Sequence, residues 1–217
     1  MYKLDPNAAV KADTIGAYLN ETGKYIGKFT RAEKLVSTNK GTDGIGFTFK
    51  ADDGRECRFD IWTRKGNGET LTGLNQVNAI MACLKVREVT IITQPVRRWE
   101  NNQEVIVDGQ VFPELQNKPI GLLLRSEEYE KMQDGQLTGQ TGWRMGLFAI
   151  FQADTEMMAS EVLGKKTKPE QLAKVIGMLA DKPLKQRRHP ASSNNGGGNN
   201  GGSQPPESIQ FDDDIPF

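Results

Sequence analysis

Hydrophobic and polar positions alternate with period two through the first half of the chain. Residues 45–51 place Ile45, Phe47 and Phe49 on one face and Thr48 and Lys50 on the other, the pattern of a half-buried strand. Residues 25–36 (YIGKFTRAEKLV) are long enough for a bent strand, and a turn-rich stretch, 37–44, follows. Asp52-Asp53-Gly54 is a hairpin turn signal, and 56–64 (ECRFDIWTR) form a third strand that completes a meander. The period then changes. Leu74, Val77, Met81 and Leu84 recur near helical spacing and predict a helix over 70–84. Strands are predicted at 88–93, 119–125 (PIGLLLR) and 143–152 (WRMGLFAIFQ), the last two separated by a polar loop, with a hairpin over 96–107 turning at Glu100-Asn101-Asn102. Thr167-Lys168-Pro169-Glu170 fits a capping box before a helix faced by Leu172, Val175, Ile176 and Leu179.

Three strands, a helix and further strands is the element order of an OB-fold β-barrel, an architecture used for oligonucleotide binding. The predicted class is mainly β (α+β). Two layouts fit the second half. In one, residues 86–118 are an insertion between the helix and the fourth strand; in the other, 88–93 is the fourth strand and 96–107 an extended loop.

Composition changes the picture at the C-terminus. At 36% hydrophobic residues the apolar share is low for 217 fully folded residues, so part of the chain is expected to be unfolded. Residues 191–206 (ASSNNGGGNNGGSQPP) have nothing to bury and read as a flexible linker. The predicted organisation is a folded body over 1–189, a linker over 190–206 and an acidic tip over 207–217. The 28 Lys and Arg balance 28 Asp and Glu. The last 28 residues hold four of those acids and no base, leaving 28 bases and 24 acids in the first 189, a surplus of four. The neutral total is a cancellation.

Several classes are disfavoured. The longest apolar run, around 147–151, is far shorter than the roughly 20 residues of a membrane helix. The N-terminus lacks the pattern of a signal peptide. Cys57 and Cys83 form no CxxC pair, which suits a reducing cytoplasm. The single histidine, His189, lies at the linker edge, and no carboxylate cluster, P-loop or GxGxxG is present. No enzymatic activity, metal or cofactor is expected.

The chain ends in Asp212-Asp213-Asp214-Ile215-Pro216-Phe217. The aspartates attract a basic surface, Pro216 reduces the entropy lost on docking, and Phe217 offers a ring and a free carboxylate. A solubilising tail accounts for the aspartates but not for the Ile-Pro-Phe ending. This tip, after a Gly/Asn-rich linker, resembles that of bacterial-type single-stranded DNA-binding proteins. The body is longer than in cellular members and is more similar in overall shape to phage-encoded ones. The resemblance implies an OB core that coats single strands and a tip, residues 212–217, that recruits replication, recombination and repair proteins. It leaves a homo-oligomer open and places the protein in the cytoplasm, that of the host if phage-encoded.

Such a body needs cations for phosphates and exposed aromatics for bases. Alternation in 56–64 puts Phe59 and Ile61 on one face and Arg58, Asp60, Trp62 and Arg64 on the other, with Lys65 extending the basic end. Arg97-Arg98-Trp99 forms a second cluster at the hairpin, and Arg144 adds another cation. The candidate DNA-binding residues are therefore Arg58, Trp62, Arg64, Lys65, Arg97, Arg98, Trp99 and Arg144. Core packing is expected for Phe47, Phe49 and Trp143. Tyr25, Phe29 and Arg31 are expected to share a face, as core or as binding residues. The basic run 182–189 reads as a solvated helix exit or a phosphate contact. Two other readings stay open: a nuclease or recombinase carrying the same recruitment tip, and a protein that mimics the tip without binding DNA.

Overall fold

The computed structural model describes residues 3–4, 17–100, 103–133 and 136–184, excluding the side chains of Trp99 and Glu100; the expected linker and tip lie outside them. The fold is mainly β, built on one seven-stranded antiparallel sheet that does not close. Its strands are β1 (Gly23–Val36), β2 (Asp43–Ala51), β3 (Glu56–Arg64), β4 (Ile92–Glu100), β5 (Gln103–Val111), β6 (Pro119–Gln133) and β7 (Gln136–Phe151). Helix α1 (Gly73–Cys83) follows β3, and two short helices, α2 (Ala159–Leu163) and α3 (Leu172–Ile176), follow β7. No helix among the described residues is long and apolar enough to cross a membrane.

β1 organises the sheet. Residues 27–36 pair with β2, residues 23–28 pair with β6, and Glu33 pairs with Val111 of β5. The ladder order β3-β2-β1-β5-β4 is thus joined by a branch through β6 to β7. The pairing of β6 with β1 decides between the two layouts: residues 86–118, with the β4–β5 hairpin, are inserted before the strand that returns to β1. Residues 88–91 are not strand; β4 begins at Ile92 and extends the expected hairpin on both sides. In the polar stretch between 125 and 143, residues 126–133 and 136–142 are likewise not loop but strand, the outer half of the β6–β7 hairpin.

The alternation in β2 and β3 does what it predicts. Phe47, Phe49 and Phe59 join Phe29 in an aromatic cluster, with ring centroids 4.5 Å apart for Phe29–Phe47 and 5.7 Å for Phe47–Phe59. Val77, Ile80 and Cys83 of α1 cover the same core. Burial pushes both thiols, Cys57 and Cys83, up to about 12, so they remain protonated packing groups. The unbroken apolar run of β6 has a separate cause: Leu122 and Leu124 face the main core, while Leu123 joins Phe151 and Leu172 in a second cluster under the C-terminal helices.

The capping box expected at 167–170 does not form. Pro169 lies before the helix, and α3 starts at Leu172 without a side-chain cap. Its place is taken by Glu161 of α2, a fully buried carboxylate that accepts hydrogen bonds from the backbone N–H groups of Met158 (2.9 Å), Glu170 (2.7 Å) and Gln171 (3.1 Å). Those of Met158 and Glu170 above all hold the Glu161 carboxyl below the ordinary glutamate value of 4.5. A lowered folded-state value means that this stabilisation is present above about 4.5 and is lost as pH falls through the folded-state value. Glu161→Gln is expected to lower the melting temperature at neutral pH, with the gap to the parent narrowing in acid. A gap that stays constant to low pH would assign the effect to packing instead.

Candidate nucleic-acid interface

The face of β1, β2 and β3 opposite the aromatic core is built in cross-strand rows. Arg31, Thr48 and Arg58 are direct partners, then Glu33, Gly46 and Asp60, then Leu35, Gly44 and Trp62. Residues directly opposite one another share a face. Arg31 joins it through a bulge: β1 carries one extra residue, Thr30, between Phe29 and Arg31. Phe29 therefore points into the core while Arg31 points out, which corrects the expectation that the two share a face. Tyr25 does stay on the side of Phe29, half-buried against the same core, its hydroxyl donating to the Glu21 carbonyl at 2.8 Å.

Trp62 is half-buried, and its ring lies where a side chain at Gly44 would be: a methyl group there would be 2.8 Å from Trp62 Cε3. Only glycine lets the indole lie flat on β2. Arg64 continues the row outward and is exposed, opposite Asp43. Along β3 the run from Arg58 to Arg64 spans roughly 20 Å at about 3.3 Å per residue. Lys65 turns into a separate pocket with Lys40 and Thr42 and pairs with Glu69 at 3.5 Å.

A cleft of about 220 Å³ opens at the Arg58 end, lined by Tyr18, Asn20, Arg58, Trp143 and Arg144 among others. Residues 17–19 reach it by running along the edge of β3: Glu56 N–H donates to the Ala17 carbonyl and Leu19 N–H to the Glu56 carbonyl, both at 2.8 Å. Leu19 is buried in the core, so its neighbour Tyr18 turns outward and is 72% exposed. Trp143 lies two residues before the buried Met145, where β7 passes beyond the core, and is 54% exposed. This corrects its expected place in the core. Arg144, beside it, stacks its guanidinium over the Tyr129 ring at 5.4 Å.

The cations expected at the β4–β5 hairpin separate. Arg98 reaches the sheet face and pairs with Glu33, which is also held by Arg31. Arg97, next along the strand, is exposed and pairs with Glu104 at 3.4 Å. Trp99 pairs with Glu104 in the backbone ladder. Sequence reading missed Tyr18 and Asn20, left Arg31 open between core and binding, and expected Trp143 in the core. Tyr18 next to an apolar Leu19 was the one readable hint; the bulge left no mark in the sequence.

Arg31, Arg58, Arg98 and Arg144 thus come together from four strands against two carboxylates, Glu33 and Asp60. Burial, and then the like charges of Arg58 and Arg98, pull Arg31 below the ordinary guanidinium value. The guanidinium stays charged, and an anion beside it would offset the like-charge part of that shift. Crowding raises Asp60 above the ordinary value of 3.8 even though solvent still reaches it, while Arg144 and Arg31 pull the other way. Among the described residues no group of three His, Cys, Asp or Glu side chains is placed to hold a metal ion. No protein-family model matches the chain, and no curated protein matches its sequence.

Proposed function

We propose that the chain binds single-stranded DNA without strong sequence preference, as a coating protein and not as an enzyme, and recruits replication, recombination and repair proteins through its C-terminal tip. The observation that carries this reading is the convergence of Arg31, Arg58 and Arg98 beside half-exposed Trp62 on the outer sheet face, next to a cleft that gathers Arg58 and Arg144 with exposed Tyr18 and Trp143. Guanidiniums hold phosphates in any sequence, and every base has a π-face on which an aromatic ring can stack. Arg64 extends the path along β3, while Lys65 and Arg97 lie off it, paired with Glu69 and Glu104. An OB-type barrel is the fold reading that goes with it: β3-β2-β1-β6-β7 is the ladder path around the core, α1 follows the third strand, and β7 comes back against β3. The tip supplies the second half of the function, with acids and a terminal aromatic suited to a basic, apolar pocket on a partner.

The test is a fluorescence-anisotropy titration of the full chain with labelled oligothymidylate between about 50 and 200 mM salt. Binding is expected to weaken steeply, the logarithmic slope being about −0.7 for each phosphate neutralised. No binding at the lowest salt would reject the coating function and leave the tip mimic standing; cleavage of the oligonucleotide would favour a nuclease. Deleting Phe217 is expected to leave the titration unchanged and abolish capture of repair and replication partners. Undiminished capture would refute the role of the tip.

A further inference from the structure

An acid at the centre of a phosphate-binding face is electrostatically adverse, yet Glu33 lies there with its carboxylate wholly buried. Arg31 holds one carboxylate oxygen and Arg98 the other. Arg98 arrives from 65 residues away on the β4–β5 hairpin. That hairpin is attached to β1 by one ladder pair, Glu33 with Val111, and by the hydrogen bond from Phe112 N–H to the Ala32 carbonyl at 2.9 Å. Its backbone also rests on the same carboxylate. A methyl group at Gly109 would lie 2.9 Å from Glu33 Oε1 and 2.6 Å from a methyl carbon of buried Val96, so only glycine lets the hairpin settle this close. The Nε of Arg31 is buried without a hydrogen-bond partner among the described residues.

We propose that Glu33 is a positioning residue for strand recognition: without touching the strand, it aims Arg31 and Arg98 along the phosphate path and docks the β4–β5 hairpin beside it. The inference rests on the single-strand reading. The two arginines repel each other, and without an acid between them they would separate and the hairpin would lose its polar anchor. A pair of like charges in fixed geometry binds a phosphate better than two mobile side chains, because the ordering entropy has already been spent.

The sign of one substitution tests this. Glu33→Gln keeps the shape and removes a negative charge. If Glu33 acted only through its field, the amide would tighten oligothymidylate binding and steepen its salt dependence. Positioning predicts the reverse: binding weaker by tenfold or more, and a logarithmic salt slope shallower by about 0.7 for each phosphate no longer neutralised. Gly109→Ala changes no charge but crowds both Val96 and the Glu33 carboxylate, disturbing the seat of the hairpin on Glu33, and is expected to weaken binding and flatten the slope in the same direction. It also decides the matter if Glu33→Gln fails to fold, which far-ultraviolet circular dichroism of each variant would reveal. Binding that is unchanged or tighter in a folded Glu33→Gln chain overturns the role of Glu33 alone. So does unchanged binding in Gly109→Ala if Glu33→Gln does not fold. A parent chain that binds no oligothymidylate rejects the single-strand reading and this inference together.

Discussion

Alanine at both Tyr18 and Trp143 is expected to weaken oligothymidylate binding by roughly 2–6 kcal/mol, since in other single-strand binders each stacked base contributes about 1–3 kcal/mol. At about 1.4 kcal/mol per factor of ten, that is a loss of roughly 30-fold to 20,000-fold. The two rings are the most exposed aromatics whose side chains are described, and they flank the cleft that holds Arg58 and Arg144. Neither carries a charge, so the salt slope should not move even as affinity drops. That combination separates stacking from phosphate binding. Trp62→Ala should cost less than Trp143→Ala, because Trp62 is already half-buried against β2 at Gly44. Equal affinity for the parent and the double variant would remove the cleft from the binding path and return the weight to Trp62 and Trp99.

Phe29→Ala is expected to destabilise the folded body by about 3–5 kcal/mol, the usual cost of removing a buried aromatic. For a body of this size that corresponds to a melting temperature lower by roughly 6–20 °C. Phe29 is fully buried, and its ring packs on Phe47 at 4.5 Å, Phe49 at 5.9 Å and Phe59 at 6.3 Å. Among the described residues it is the one ring that pairs with all three others, so the cavity would open at the centre of the meander and not at its edge. The denaturant midpoint should fall with little change in slope, the sign of lost stability without a changed denatured state. A second effect follows from position. Phe29 immediately precedes the bulge that turns Arg31 outward, so chains that remain folded should also bind the strand less tightly. A melting temperature lowered by only a degree or two would mean that the neighbouring rings close the space.

Parts of the molecule are local and were readable. The β2 and β3 alternation follows from a side-chain period of two, and the α1 spacing from one of 3.6. The position of α3 was readable but not its start, because the group that caps the preceding turn, Glu161, belongs to another helix. The outer half of the β6–β7 hairpin read as a loop because its strands are polar on both faces where they leave the core. Trp143 read as core because a large ring in an apolar run normally is; its exposure depends on where β7 passes beyond the packed layer.

The sequence by itself determined that Arg58, Trp62 and Arg64 stand opposite Phe59 and Ile61, and that a body with four surplus positive charges carries a tail with four negative ones and an Ile-Pro-Phe ending. Both are properties of neighbouring residues, fixed by backbone geometry and by counting. Only the tertiary structure decided which cations meet. Arg31, Arg58, Arg98 and Arg144 lie on four strands far apart in sequence. One extra residue in β1 turns Arg31 to their side, and Glu33 draws Arg98 across to it while Arg97, its immediate neighbour, is left on the solvent side with Glu104. A one-residue shift reverses the facing of a strand, and buried charges must find partners wherever the fold brings them. Neither is encoded at any single position of the chain.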